Sequence, residues 1–132
     1  MAISKIKISF PCDVERVWQI VTSLEDCAWR SDLDRIEVLD EKRFVEYTKD
    51  GYATTFTTTV KEPLKRWEFD MENDNMAGHW TGIFSNEGDQ TVIEFTEEVT
   101  AKKVWMKPFV KTYLKKQQTT YVADLEKALP KR

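Results

Sequence analysis

The sequence predicts an α+β fold in which seven antiparallel strands precede a long C-terminal helix. Six segments of high β-propensity follow one another between residues 35 and 100, and turn residues such as Asp50 and Gly51 separate most of them. Connections this short join antiparallel neighbours, because parallel strands need longer crossovers. A helical pattern then runs from about 104 to 128. A chain of 132 residues has the size of one domain, which we assign to 1–132.

The elements before the main sheet are one strand and two predicted short helices. Apolar residues alternate with polar ones near the N-terminus, as in a strand: Ile6, Ile8 and Phe10. The next apolar residues follow the spacing of an amphipathic helix: Val14, Val17, Trp18 and Val21. Ser23 and Asp26 resemble a cap for a second short helix through Ala28. The predicted order is therefore β-α-α-β6-α.

The six later strands are predicted near 35–40, 43–48, 52–61, 66–72, 77–85 and 90–100. The phase of the first two is open, since Phe44 competes with Val45 and Tyr47 for the inner face. In the less obvious phase, Arg35 and Arg43 would enter the interior. An inward arginine would favour an acidic group on a ligand, because guanidinium pairs well with carboxylate.

His79, the only histidine in the chain, stands beside Trp80 on a predicted strand. Neighbouring residues on a strand point to opposite faces, and the bulky Trp80 and Phe84 favour their own face as the inner one. We therefore expect His79 to be an exposed imidazole without a catalytic role, unless a bulge reverses the phase. Gly82 lies between the two inner aromatic residues, where it leaves room for close packing, strand bending or a ligand.

Glu97 is the anomalous residue of the last strand, because it shares the inward phase with Phe95. A carboxylate that faces an apolar interior is costly unless it is hydrogen-bonded or solvated, and burial raises its pKa. Three roles are open: a solvated group at the strand end, a group that orients a ligand, or a catalytic acid or base. For catalysis, Tyr113 of the long helix is the predicted partner of Glu97.

Composition and charge exclude several classes of function. The net charge of −3 and the pI of about 5.3 do not fit a general nucleic-acid binder. No apolar run is long enough to span a membrane, and the N-terminus lacks the pattern of a signal peptide, so we expect a cytoplasmic protein. Cys12, Cys27 and one histidine predict no metal site, and no cofactor motif is present. Lys103, Lys107 and Lys111 form a stripe that either is simply solvated or attracts an anionic partner.

Several short motifs resemble the SRPBCC superfamily, which includes START-like domains, polyketide cyclases and birch-pollen-allergen-like proteins. They are Phe10–Pro11, Val17–Trp18, Trp29 with Asp32, Pro63 before Trp67–Glu68–Phe69, Trp80–Thr81–Gly82, and Gln90–Ile93 before Thr96–Glu97–Glu98. The resemblance covers essentially the whole chain. It implies a helix-grip fold, in which a curved seven-stranded antiparallel sheet wraps around the C-terminal helix. Between the two the family usually has a cavity, although in a chain this short it is expected to be small or collapsed.

The inward phases and this implied cavity together predict the residues that contact a ligand. They are Trp18, Trp29, Tyr52, Thr54, Phe56, Thr58, Trp67, Phe69, Trp80, Phe84, Phe95, Glu97, Phe109, Tyr113, Gln117 and Tyr121. For Trp18 and Trp29, packing at the junction of the short helices and the sheet is the alternative.

Three functions follow from the resemblance. The first is binding of a small hydrophobic or aromatic molecule by a monomer or homodimer. The second is an enzyme similar to polyketide cyclases and dehydratases that uses Glu97 and a tyrosine. The third is an interaction domain similar to chaperone-ATPase activators. That third function needs an exposed apolar patch, and the sequence shows no clear one.

Overall fold

A computed structural model describes residues 1–129 of the chain. One short helix and a long one accompany seven strands. In chain order the elements are β1 Ala2–Phe10, α1 Val14–Thr22, β2 Leu33–Val38, β3 Arg43–Thr48, β4 Ala53–Glu62, β5 Arg66–Glu72, β6 Met76–Glu87, β7 Gln90–Ala101, a 3₁₀ helix Val104–Phe109, and α2 Val110–Ala128.

The strands form one antiparallel sheet in the order β1-β7-β6-β5-β4-β3-β2. Strands β2 to β7 are a meander of sequential neighbours, and β1 closes the far edge by pairing with β7. Because the sheet is curved and a long helix follows it, the predicted helix-grip fold is confirmed.

Helix α2 packs against one edge of the sheet, at β1 and β7. Ser4 of β1 donates from Oγ to Gln118 Oε1 at 2.8 Å, and Gln118 Nε2 donates to the Ser4 carbonyl at 3.1 Å. Leu114 packs in a small buried cluster with Val99 and Ala101. The helix backbone approaches β1 and β7 but not the middle strands. The inner face of β3 to β6 is therefore left for side chains and open space.

The second predicted short helix is absent, and residues 23–32 form turns instead. The hydrogen bonds expected of a cap are present, because Asp26 N donates to Ser23 Oγ at 3.3 Å and Ala28 N donates to Asp26 Oδ1 at 3.2 Å. Each of these bonds satisfies a local backbone amide without a following helical turn, as short polar side chains do in loops. Helix α1 is correctly predicted, and Asp13 caps it by accepting from Arg16 N at 2.8 Å.

The predicted long helix begins six residues late, at Val110. The preceding segment, Val104–Phe109, is a 3₁₀ helix that contains Pro108. Proline has no amide hydrogen, and its ring clashes with the carbonyl of an earlier turn, so it disfavours an α-helix that continues through it. Pro108 therefore lies before the α-helix, in a segment of different helix type.

Strand β6 has the predicted phase. Trp80 and Phe84 are buried, and the Trp80 ring stacks on Phe69 with 4.7 Å between ring centroids. His79 lies on the outer face, but its side chain is only 29% exposed, because Nδ1 lies 2.7 Å from Asp70 Oδ1 and Nε2 lies 2.8 Å from Glu68 Oε1. Burial opposes the charged imidazole, yet the bonds to the two carboxylates raise the pKa of His79 overall.

The open phase of β3 is settled in favour of Phe44, which stacks on Phe56 with ring centroids 4.9 Å apart. Glu46, two residues further along the strand, therefore faces inward as well. Arg35 and Arg43 do not enter the interior. The Arg35 guanidinium lies over the Tyr47 ring at 3.9 Å, and Arg43 pairs with Asp40 at 2.8 Å on the surface.

The gap at Gly82 is filled by the indole of Trp80. A Cβ at residue 82 would lie 2.5 Å from Cη2 and 2.8 Å from Cζ3 of that ring. We expect Gly82→Ala to lower the free energy of unfolding by about 1–3 kcal/mol, because the stacked rings must shift to make room. Urea denaturation measures the loss. Repeating it in a Trp80→Phe background, which lacks the crowded outer part of the indole, should recover most of it; an equal cost in both backgrounds would contradict this explanation.

Candidate ligand-binding cavity

A cavity of about 360 Å³ lies between the inner face of the sheet and helix α2. Its floor consists of aromatic side chains from five strands: Phe44, Phe56, Trp67, Phe69, Trp80 and Phe95. Most neighbouring rings meet edge-to-face or stack, and Trp80 is tilted against Phe95; the centroid separations range from 4.7 to 6.2 Å. Such a network holds each ring against its neighbours, so the floor is a preformed apolar surface.

The opposite wall comes from α2 and the loop after α1. It contains Trp29 together with Tyr113, Leu114, Gln117, Gln118 and Tyr121. Trp29 and Tyr121 meet edge-to-face, with ring centroids 5.3 Å apart. The loop is tied to the helix by Asp124, whose Oδ2 accepts from both Ser31 N and Ser31 Oγ at 2.8 Å. These bonds hold the loop that carries Trp29 and Arg30 against α2.

Arg30 is the centre of a polar cluster in this wall. Its Nε and Nη2 donate to the two oxygens of Asp32 at 3.2 Å each, and its Nη1 lies 3.5 Å from Glu46 Oε2. The guanidinium also lies over the Tyr121 ring, 4.9 Å from the centroid. Burial by itself would lower the pKa of Arg30, but Glu46 and Asp32 raise it overall, so the guanidinium stays charged. Two carboxylates thus already balance this inward arginine.

Two carboxyl groups of the cavity wall, Glu46 and Glu97, have raised pKa values. Burial raises the pKa of Glu46, although Arg30 opposes the rise. Glu97 is 6% exposed, and burial raises its pKa to about 7, against the lowering effects of Arg30 and of the Gln118 hydrogen bond. Near pH 7 the protonated and ionised forms of Glu97 are therefore both populated, so its carboxyl group can either donate or accept a hydrogen bond.

Besides Tyr121, two tyrosines contribute hydroxyl groups to the cavity wall. The Tyr52 hydroxyl is buried and has no hydrogen-bond partner among residues 1–129. Tyr113 is 49% exposed and lies at the cavity margin, where burial and the charge of Glu97 raise its pKa. With its pKa raised, Tyr113 is a neutral hydroxyl near pH 7. Tyr52 in particular offers an unused donor and acceptor.

Most residues predicted to contact a ligand lie in the cavity wall. These are Trp29, Tyr52, Thr54, Phe56, Trp67, Phe69, Trp80, Phe95, Glu97, Tyr113, Gln117 and Tyr121. Their contact with a ligand, and the catalytic role of Glu97 and Tyr113, remain predictions.

Four predicted residues lie elsewhere. Trp18 of α1 meets Phe84 edge-to-face at 5.0 Å, so both fill the core beneath that helix. Thr58 is not in the cavity wall, and its Oγ1 accepts a hydrogen bond from Trp67 Nε1 at 3.3 Å. Phe109 is 64% exposed, because it ends the 3₁₀ segment rather than lying on the inner side of α2.

No sequence pattern indicated the Arg30–Asp32–Glu46 cluster as a site, and none indicated that Gln118 lies in the cavity wall. The inward position of Glu46 was predictable from the sequence, because choosing Phe44 as the inner residue of β3 places Glu46 inward too. Arg30 lies in a loop, where no periodicity indicates direction. Within the part of the chain that the structure describes, no group of histidine, cysteine and carboxylate side chains has the arrangement of a metal site. No described helix has the length and apolar character needed to cross a membrane.

Solved structures share this fold at low sequence identity. A START superfamily protein from Mycobacterium smegmatis has a TM-score of 0.82 and 16% identity, covering 96% of this chain and 95% of its own. A conserved protein from Geobacillus kaustophilus has a TM-score of 0.81 and 12% identity, covering 96% of this chain and 94% of its own. The di-domain ARO/CYC BexL from the BE-7585A biosynthetic pathway has a TM-score of 0.80 and 11% identity, covering 96% of this chain and 45% of its own.

The family assignment rests on the sequence model that matches the chain. A comparison with curated proteins found no match. The model described as polyketide cyclase / dehydrase and lipid transport matches residues 1–130, which is nearly the whole chain. Together with the helix-grip architecture, this match shows that the chain belongs to the polyketide cyclase / dehydrase and lipid transport family of the SRPBCC superfamily.

Proposed function

We propose that this protein binds a small, mainly aromatic molecule in the cavity between the sheet and α2. The observation that supports the proposal is the combination of six floor rings with two polar groups, Glu97 and the Tyr52 hydroxyl. Small-molecule sites are mostly apolar and contain a few polar groups that set the orientation of the ligand. Their volumes start at about 300 Å³. A cavity of about 360 Å³ falls in this range.

The charges around the cavity favour a neutral ligand group that donates and accepts hydrogen bonds. A ligand carboxylate would have to compete with Asp32 and Glu46 for Arg30, and it would also face Glu97. A hydroxyl group can instead donate to Glu97 and accept from Tyr52. This reverses the expectation that an inward arginine favours an acidic ligand, since here the arginine is already paired.

Calorimetric titration with 2-naphthol and with 2-naphthoate tests both the cavity and its charge preference. We expect 2-naphthol to bind at least about ten-fold more tightly, because a buried carboxylate without a free partner is strongly disfavoured. Gln117→Trp fills the cavity wall and should abolish binding, whereas Thr119→Trp, on the exposed side of the same helix, should not. Failure of both probes to bind would contradict the proposal, and tighter binding of 2-naphthoate would contradict only the charge preference.

Tyr52→Phe is expected to stabilise the protein while weakening binding of 2-naphthol. Removing a buried hydroxyl that lacks a partner should raise the free energy of unfolding by about 1–2 kcal/mol. The same change should weaken binding roughly five-fold, since one hydrogen bond to the ligand is lost. Urea denaturation and calorimetry measure the two effects. Tyr47→Phe, at an outward position on β3, is the matched control and should change neither by much.

A second candidate function, catalysis, is favoured by the fact that Glu97 of β7 and Tyr113 of α2 line the same cavity. A carboxyl group with a pKa of about 7 is suited to remove a proton next to a carbonyl, while a tyrosine hydroxyl donates to the carbonyl oxygen. Deuterium incorporation into the methyl group of 2-acetonaphthone, followed by NMR, tests this step. Equal rates with the wild type and Glu97→Gln would exclude it and leave binding alone.

A further inference from the structure

An apolar surface lies where β7 leads into α2. Val104, Trp105 and Phe109 are 77%, 68% and 64% exposed, which is unusual for large apolar side chains so close in sequence. We call this surface, with the lysines between 102 and 116, the basic aromatic patch. The expectation that the chain has no clear exposed apolar patch is therefore wrong. The sequence did not reveal it because the long-helix prediction assigned Phe109 to the buried side.

The outward direction of these side chains is set by their neighbours in the same segment. Met106, Val110 and Leu114 turn inward and pack on Val99 and Ala101 of β7. Val110 and Leu114 are buried, and Met106 is partly buried. Because these three residues anchor the segment, Trp105 and Phe109 cannot turn inward without displacing them. The exposed aromatic pair is thus a consequence of a packed segment.

The charge of the patch is opposite to that of the whole chain. Residues 102–116 contain six lysines and no acidic residue, although the net charge of the protein is −3. All six are exposed: Lys102, Lys103, Lys107, Lys111, Lys115 and Lys116. Within residues 1–129, Lys102 pairs with Glu72 at 2.9 Å, and the other five make no ion pair. The patch therefore combines apolar rings with a concentrated positive charge.

We infer that the basic aromatic patch docks on an anionic lipid surface, with Trp105 and Phe109 inserted at the interface. Tryptophan and phenylalanine partition into the boundary between headgroups and acyl chains, and lysines around them bind anionic headgroups. A second copy of the chain is a poorer occupant, because a two-fold interface would set one lysine cluster against the other.

Docking in this way would bring the cavity margin to the membrane. Tyr113 and Lys116 lie in the cavity wall, and both also lie within the segment that carries the patch. An apolar molecule could then pass between the acyl chains and the cavity without crossing bulk water. The docking inference itself does not rest on any ligand, so it can fail or succeed independently of the proposed cavity.

Vesicle co-sedimentation tests the inference with two lipid compositions, phosphatidylcholine alone and the same lipid with about one third phosphatidylserine. We expect binding only to the anionic vesicles, with affinity that falls as salt rises. Lys107→Glu with Lys111→Glu should weaken binding by more than ten-fold, since each lysine near such a surface contributes roughly five-fold. The matched control, Lys61→Glu with Lys65→Glu, reverses two exposed lysines of the β4–β5 region and should have little effect.

Insertion of the aromatic pair has its own signature. Lipids brominated in their acyl chains should quench part of the tryptophan fluorescence in the wild type, and Trp105→Phe should remove most of that quenching. Trp105→Ser with Phe109→Ser should abolish sedimentation with anionic vesicles while leaving the far-UV circular dichroism spectrum unchanged. The inference is overturned by no binding to anionic vesicles, by equal binding to neutral vesicles, or by equal losses in the two lysine pairs. A Trp105-dependent dimer, or a complex with an acidic protein, in place of vesicle binding would show that the patch has a different occupant.

Discussion

Replacing Arg30 with methionine is expected to lower the free energy of unfolding by about 3–5 kcal/mol. In the wild type the guanidinium lies 3.2 Å from Asp32 and 3.5 Å from Glu46. The substitution removes it and leaves both carboxylates beside the cavity without a cation. Methionine keeps much of the apolar contact with the Trp29 and Tyr121 rings, so the loss reports mainly on charge. Urea denaturation near pH 7 measures it.

A surface pair provides the control for this experiment. Arg43→Met breaks the exposed ion pair with Asp40 and should cost no more than about 1 kcal/mol, because solvent already screens those charges. Adding Glu46→Gln to Arg30→Met should recover part of the loss by removing one uncompensated carboxylate. If the two arginine variants lost the same stability, or if Glu46→Gln made Arg30→Met worse, the cluster would not be the buried ionic site described above.

Glu97→Gln is expected to make the protein more stable than the wild type at alkaline pH. Burial raises the pKa of Glu97 from its ordinary value of 4.5 to about 7, so the folded state binds the proton more tightly than the unfolded state. The wild-type stability therefore falls as the pH rises from about 4.5 to about 7, by about 3 kcal/mol from this group alone. Glutamine keeps the shape and has no proton to lose.

The measurement is the difference in unfolding free energy between Glu97→Gln and the wild type across pH 4 to about 9. Taking the difference matters because His79 also has a raised pKa, and its bonds to Glu68 and Asp70 likewise lose stability as the pH rises. That contribution is present in both proteins and cancels, whereas His79→Gln should remove it from each. A difference that does not change with pH would show that Glu97 is solvated and ionised in the folded state.

Both predictions concern polar groups whose burial costs stability. Arg30 compensates two carboxylates in the cavity wall, and Glu97 and Tyr52 retain hydrogen-bonding capacity that the protein itself leaves partly unused. Apolar residues of similar size would make a more stable core at these positions. Polar groups of this kind in a mainly apolar cavity fit the proposed binding function, in which a few of them orient the ligand.

Regular alternation along the long strands was sufficient to predict much of this site. Trp80 and Glu97 are directly paired on β6 and β7, and both face inward as the parity of their strands indicates. The same parity places His79 outside, although its bridge between Glu68 and Asp70 follows only once the strand register is known. These inferences succeeded because a side chain in an uninterrupted strand has a direction set by its position alone.

The sequence by itself determined the order of the strands, the meander and the aromatic inner face, because these depend on local periodicity and turn chemistry. Only the tertiary structure decided that Arg30 faces inward, that residues 23–32 are turns, and that Phe109 is exposed. Arg30 is positioned by contacts with Glu46 and Tyr121, and Asp124 holds the neighbouring Ser31 from 93 residues away. The directions of side chains in loops and at helix ends depend on such distant partners, and no local sequence pattern encodes them.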